Sequence, residues 1–236
     1  MNLSIVIPAY NEESSIASTL LNIKEAFGSD CGVIVVDDYS CDNTFTAAGE
    51  VLKDFPQSRL IKNPLKKGFA NALKTGFDLA QGDVVIPVMA DNCDEIIIIP
   101  RMYRRILEGY DIVCASRYIK GGRRQGGPIL KGLLSRYGSW IVHKISKIPV
   151  TDLTNSFKAY RKSALENISI SSSGFEISME IVLKAYLNGY RICEIPTVWQ
   201  ERILGRSHFS IIRDGIKFVK LLIFGLAIPL LYSRAK

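Results

Sequence analysis

Histidine is scarce in this chain of 236 residues: there are two, His143 and His208, and the five cysteines (Cys31, Cys41, Cys93, Cys114 and Cys193) form no CxxC pair. That pattern excludes a zinc-type cluster, and an odd set of scattered thiols fits a reducing compartment better than a disulfide framework. No GxGxxG follows the first strand-like segment, which removes the dinucleotide-dehydrogenase fingerprint. No basic region with an apolar stretch and cleavage site opens the chain, so a secretory signal is not expected and the protein is expected on the cytosolic side. The apolar run LLIFGLAIPLLY, Leu221 to Tyr232, falls short of the ~20 residues needed to span a bilayer and contains Pro229. There is no internal repeat or low-complexity tract.

What is present suits one large α/β domain with a C-terminal appendage: 47% hydrophobic residues, 22% charged, and a net charge of +7. Such a basic balance implies an anionic partner, which could be nucleic acid, an acidic membrane surface or a phosphorylated small molecule.

The first half reads as strands alternating with helices. Leu3 to Pro8 is an apolar run, followed by the polar AYNEE and a helix from Ser14 to Phe27, with Ser14 or Ser15 as N-cap. Val33 to Val36 ends in Asp37 and Asp38, and Phe45, Ala48 and Leu52 mark a second helix. Arg59 to Lys62 is a short strand, Phe69 to Ala80 a helix, and Asp83 to Met89 a strand that runs into ADNCDE. Crossovers of about 15 to 25 residues predict a mostly parallel sheet covered by helices. Beyond it, a helix to about Glu108, a strand Asp111 to Ser116, an antiparallel strand Asn155 to Tyr160, a helix Phe175 to Asn188 and a last strand Tyr190 to Val198 are expected. The basic, Gly-rich KGGRRQGGP, Lys120 to Pro128, reads as a loop.

Two acidic loops, DDYSCDNT after Val36 and ADNCDE after Met89, end parallel strands, where ligands bind in open α/β sheets. Their carboxylates suit a divalent cation with its phosphates, or equally turn formation and helix capping. Ile129 to Ile148 places Leu130, Leu133, Leu134, Tyr137, Trp140, Ile141 and Ile145 beside Lys131, Arg136, Lys144 and Lys147, an amphipathic basic helix suited to a membrane interface. The segment Ser210 to Tyr232 is a second such candidate, its apolar run from Leu221 preceded by Lys217 and Lys220 and followed by Arg234 and Lys236; its alternative is a core helix docked on the domain.

The segments IVIPAYNEE, VVDDYSCDNT, KKGFANALKTGFDLAQGD, MADNCDE, SRY, DLTNSFKAYRKSAL and ERILGRSHF resemble, in order and spacing, the family-two inverting glycosyltransferases. Within them the chain is most similar to the dolichol-phosphate mannosyltransferase type, over about Leu3 to Phe218. The resemblance implies a GT-A fold, a catalytic domain over residues 1–209 and an interfacial helix over 210–236. It implies transfer of a sugar from a GDP- or UDP-linked donor to a polyprenyl or dolichyl phosphate, with no nucleic acid involved, by an enzyme peripheral to the cytosolic membrane face.

Carried over residue by residue, the resemblance puts nucleotide binding on Pro8, Tyr10, Glu12 and Asp37, with Asp38 beside it. It puts Mg2+ or Mn2+ on Asp91, with Asp94 as a second candidate. Met89 stands where the family's first motif aspartate is common, and Cys93 where a further ligand can reach the metal. Arg117, Lys131, Ser135, Arg202 and Ser207 match the phosphate-binding set, with Lys131 at a common arginine and His208 at a usual lysine. A lipid monophosphate, mostly anionic at pH 7, needs no strong base. A hydroxyl acceptor would need one, and Asp152 is then the candidate; a non-catalytic binding partner of another transferase is the third possibility.

Overall fold

The computed structural model describes residues 2–29, 31–202 and 210–234. Nine strands are described: β1 Leu3–Ala9, β2 Gly32–Asp37, β3 Arg59–Lys62, β4 Val84–Pro87, β5 Ile112–Ser116, β6 Arg123–Gln125, β7 Lys158–Arg161, β8 Ile192–Pro196 and β9 Val198–Gln200. The helices are α1 Ile16–Phe27, α2 Thr44–Leu52, α3 Phe69–Leu79, α4 Ile99–Leu107, α5 Ile129–Ser146, α6 Lys162–Glu166, α7 Ile177–Leu187 and α8 Ile211–Arg234. Seven strands form one sheet in the order β3-β2-β1-β4-β7-β5-β8. All of its pairings are parallel except those of β7, which is antiparallel to β4 and β5.

The central strands are apolar on both faces because both faces are covered. Ile5, Ile7, Val33, Val35 and Ile86 pack under α1, α2 and α4. Val6, Ile34, Val36, Val85 and Ile112 pack under α3, α5, α7 and α8. Ser15 precedes α1 but its hydroxyl does not cap the helix; it donates to the Glu12 carboxylate at 2.9 Å.

Two expectations are corrected. The segment 120–128 is not wholly loop: Arg123–Gln125 is β6, paired in parallel with β9 in a separate two-stranded ribbon. Its residues, Arg-Arg-Gln, carry no apolar pattern that would announce the pairing. The expected strand Tyr190 to Val198 is divided at Thr197, whose N–H reaches Ser116 O at 3.0 Å while its carbonyl accepts from Arg123 N at 3.0 Å. One stretch of chain thus leaves the main sheet and enters the ribbon.

α5 is amphipathic in the opposite sense from a core helix. Its inner face is made of Ser139, Val142 and Ser146, while Leu130, Leu134, Tyr137 and Trp140 are each at least half exposed. α8 lies across it and against α7. A Cβ on Gly225 would sit 2.8 Å from Val142 Cγ1, and one on Gly138 would sit 3.2 Å from Leu222 Cδ1, so the two helices touch through glycines. α8 buries Ile228 in this contact and turns Ile216, Val219, Ile223 and Leu230 outward. No helix among the described residues is long and apolar enough to cross a membrane.

Candidate active site

The carboxyl ends of β1, β2 and β4 lie side by side, and their three loops are laced to one another. Asn11 N–H donates to Ser40 Oγ at 3.0 Å and Asn11 Oδ1 accepts from Cys41 N at 2.8 Å. Glu12 N–H donates to Thr44 Oγ1 at 2.8 Å. Asn92 Oδ1 accepts from Thr19 Oγ1 at 2.9 Å. Asn11, Tyr39 and Asn92, one in each loop, have φ of 53°, 63° and 57°. Asparagine tolerates that region; tyrosine is strained there, which marks a loop shaped for something other than its own stability.

Pro8, Tyr10, Glu12 and Asp38 line the cavity that these loops open onto. Asp38 is tied inward, accepting from Asn63 Nδ2 at 2.8 Å and Gly68 N at 2.9 Å, and so fixes the start of α3. Asp37 is buried below it, and its Oδ1 has no hydrogen-bond partner. Lys67, which the sequence reading passed over, stands 3.5 Å from the centre of the Tyr10 ring.

At the end of β4, Asp91 Oδ1 accepts from Cys93 N at 3.1 Å and its Oδ2 accepts from Arg202 Nη2 at 2.6 Å. Arg202 also reaches Glu12 Oε1 at 3.2 Å. Burial raises the Glu12 carboxyl despite this guanidinium. Asp94 faces inward to Met89 N–H at 3.0 Å, and burial pushes its carboxyl up to about 7. The Cys93 thiol is driven far above its usual range by burial and by Asp91, so it stays protonated. Metal ligands must be deprotonated, and a thioether or thiol is a poor partner for a hard cation. Of Met89, Asp91, Cys93 and Asp94, Asp91 is the side chain whose chemistry suits a hard cation that arrives already bound to a diphosphate. Among the described residues there is no cluster of three His, Cys, Asp or Glu side chains that could hold a metal ion.

Beyond β5 the chemistry changes sign. Arg117 grips Asp152 in a two-pronged pair, Nε to Oδ2 at 2.7 Å and Nη2 to Oδ1 at 2.8 Å, and Nη2 also donates to Thr154 Oγ1 at 3.0 Å and Ser135 Oγ at 3.2 Å. Burial opposes ionisation of Asp152, but Arg117 more than offsets it and holds the carboxyl below its usual range. Asp152 is fully buried. It is thus a clamp on Arg117, and to act as a base for a hydroxyl acceptor it would first have to be released from that pairing. Lys158, missed in the sequence, is also fully buried; its ammonium donates to the carbonyls of Leu153 and Asn155 and holds the turn that carries Asp152 and Thr154.

Lys131 and Ser135 project from the inner side of α5 into the same cavity as Arg117 and Arg202. Burial lowers the Lys131 ammonium, Glu201 opposes that shift, and Arg124, Arg117 and Arg202 add to it. Such mutual repulsion among cations is relieved by an anion. The cavity, about 1470 Å³, continues from here between α5 and α8, past Leu134, Tyr137, Phe218 and Leu222. Ser207 and His208 lie outside the described residues.

Comparison with known proteins agrees with this geometry. Residues 4–169 match the model of Glycosyl transferase family 2. The chain is 32% identical over 230 residues to a dolichol-phosphate mannosyltransferase of Pyrococcus furiosus, covering 93% of this chain and 64% of that protein. It is 30% identical over 216 residues to an undecaprenyl-phosphate mannosyltransferase of Micrococcus luteus, covering 89% of this chain and 88% of the other. Among solved structures it is similar to glucosyl-3-phosphoglycerate synthase from Mycobacterium tuberculosis in complex with Mn2+, UDP and glucosyl-3-phosphoglycerate. That match has a TM-score of 0.73 and 18% identity, over 97% of this chain and 81% of that one, and speaks to the fold alone.

Proposed function

The chain belongs to Glycosyl transferase family 2, and from that premise we propose that it transfers a hexose from a nucleoside-diphosphate sugar to a polyprenyl or dolichyl monophosphate at a membrane surface. One observation carries the acceptor: a single cavity joins the strand-end loops to the cations Arg117, Lys131 and Arg202 and then to an apolar trough between α5 and α8. A lipid phosphate has that same order of parts, a charged head followed by an isoprenoid chain.

In this reaction an acceptor phosphate oxygen bonds to the anomeric carbon as the bond from that carbon to the diphosphate breaks, with inversion. The acceptor is already mostly anionic at pH 7, because its second pKa is ~6, so no general base is required. That agrees with an Asp152 held ionised and buried by Arg117. Arg117, Lys131 and Arg202 orient the phosphates and balance charge that shifts to the leaving group. Asp91 would hold Mg2+ or Mn2+ against the donor diphosphate, where the cation supplies Lewis-acid stabilisation of the leaving charge.

Residues 1–209 form the catalytic part in this reading. The segment 210–236 attaches the enzyme, with the outer face of α5, to the cytosolic surface of an anionic bilayer; five cysteines with no disulfide among them suit that side. A panel of GDP-mannose, UDP-glucose and related donors against polyprenyl phosphate, with Mg2+ or Mn2+, followed by mass analysis of the lipid, tests the proposal. A glycosylated lipid phosphate supports it. Sugar appearing only on a soluble hydroxyl acceptor, or nucleotide binding with no transfer under any metal, defeats it.

A further inference from the structure

We propose that Arg124 is an additional ligand of the acceptor phosphate, presented to the cavity by the β6–β9 ribbon. The inference rests on the acceptor being a phosphate, as proposed above. It concerns a residue in a segment whose sequence reads as loop.

The placement is the first observation. Arg124 is paired in register with Trp199, and β9 continues directly to Glu201 and Arg202. The ribbon that brings Arg202 to Asp91 therefore also brings Arg124 to the same cavity, which both residues line.

The seating of the guanidinium is the second. Nη1 donates to Pro128 O at 3.2 Å, and the group lies 5.3 Å from the Trp199 ring centre. A Cβ on Gly132 would come within 2.2 Å of Nη1, and one on Gly127 within 2.2 Å of Nη2. Gly127 has φ of 77° and is needed for its backbone alone, but Gly132 lies inside α5, where glycine costs about 1 kcal/mol relative to alanine. The contact at Gly132 is with the tip of a flexible side chain, so what it shows is that the Arg124 guanidinium lies directly against the α5 backbone at that turn.

The third is charge. Arg117 is engaged by Asp152, and Arg202 by Asp91 and Glu12. Among the described residues no carboxylate forms an ion pair with Arg124, although the Glu201 carboxylate lies beside its Nη2 next to Gly127. Its planar fork can hold two phosphate oxygens, whereas the neighbouring Lys131 offers three donors on one atom. An anion entering the cavity that Arg124 and Lys131 both line would meet the two cations together.

The test uses the full chain, with a short polyprenyl phosphate, the matching prenol and the nucleoside diphosphate as separate titrants. Arg124→Ala should weaken the lipid phosphate and raise its KM about tenfold or more, the scale of a charged hydrogen bond. The prenol and the nucleotide should bind as in the parent, and Arg124→Lys should recover part of the loss. Equal loss for phosphate and prenol, loss confined to the nucleotide, or an unchanged acceptor KM in a transferring enzyme would each overturn the inference. Binding of the lipid phosphate that depends on Arg124, without any transfer, would instead defeat the proposed function and leave this inference standing. If Arg124→Ala does not fold, Trp140→Phe leaves Trp199 as the single tryptophan. Its emission should then respond to the lipid phosphate and not to the prenol; an equal response to both would overturn the inference.

Discussion

The two ends of the cavity are built on opposite plans. At the strand ends, short loops are cross-linked by hydrogen bonds among Asn11, Ser40, Cys41, Glu12 and Thr44, and ionisable groups are paired at short range, as Asp91 is with Arg202. Between α5 and α8, apolar side chains face outward: Leu134 is 57% exposed, Tyr137 59% and Trp140 50%. The first plan fixes atoms for chemistry. The second leaves apolar side chains uncovered, each of which would gain ~1.5–3 kcal/mol if something covered it. Position is specified at one end, and an uncovered apolar face is left at the other.

The largest effect should come from breaking the clamp that joins the two ends. Arg117→Ala leaves Asp152 buried without its partner, and a loss of about 3–5 kcal/mol is expected, read as a lower thermal midpoint. Because Arg117 holds the folded Asp152 pKa below its unfolded value of ~3.9, the pair contributes stability above that pH and loses it as pH falls further. The gap between parent and variant should therefore narrow in acid; a gap that widened below pH 4 would contradict the pairing. Next, Asp91→Asn should lower sugar transfer on the order of a hundredfold while leaving vesicle binding intact. Unchanged turnover would remove Asp91 from the donor end.

At the other end, Leu134→Glu with Trp140→Glu should reduce affinity for vesicles containing anionic lipid by roughly tenfold or more, with nucleotide affinity unchanged. Co-sedimentation and calorimetry on one preparation read both, and full vesicle binding by the double variant would separate α5 from the membrane. Smallest is Met89→Asp, which adds a hard ligand beside Asp91. Mn2+ affinity in the presence of nucleoside diphosphate should rise on the order of tenfold, and no rise would mean that position 89 does not face the cation.

The strand-end loops were largely legible in the sequence because they are local. Apolar runs ending in DDYSCDNT and ADNCDE announce buried strands that stop in polar loops, and those strands do lie either side of β1 and parallel to it. The helical spacing of Leu130, Leu134, Tyr137 and Ile141 announced a stripe, although periodicity alone does not say which side is inward. The small residues Ser139 and Ser146, buried on the opposite face, decide it. Long-range features were not legible. β6 is Arg-Arg-Gln and pairs with a strand more than seventy residues away, so nothing in its composition signals pairing. A sequence gives the Asp152 carboxylate, the base candidate for a hydroxyl acceptor, without the guanidinium that closes over it. Lys158 gave no sign of being buried, since lysine almost never is unless its ammonium finds acceptors.

Under the proposed function, the outward face of α5 also changes the dimensionality of the enzyme's search. A protein held flat against the bilayer meets its acceptor by lateral diffusion within a plane, so the relevant concentration is a surface density. Rates should then follow the mole fraction of acceptor in the vesicle and fall when inert phospholipid is added, even though the amount of acceptor in the tube is constant.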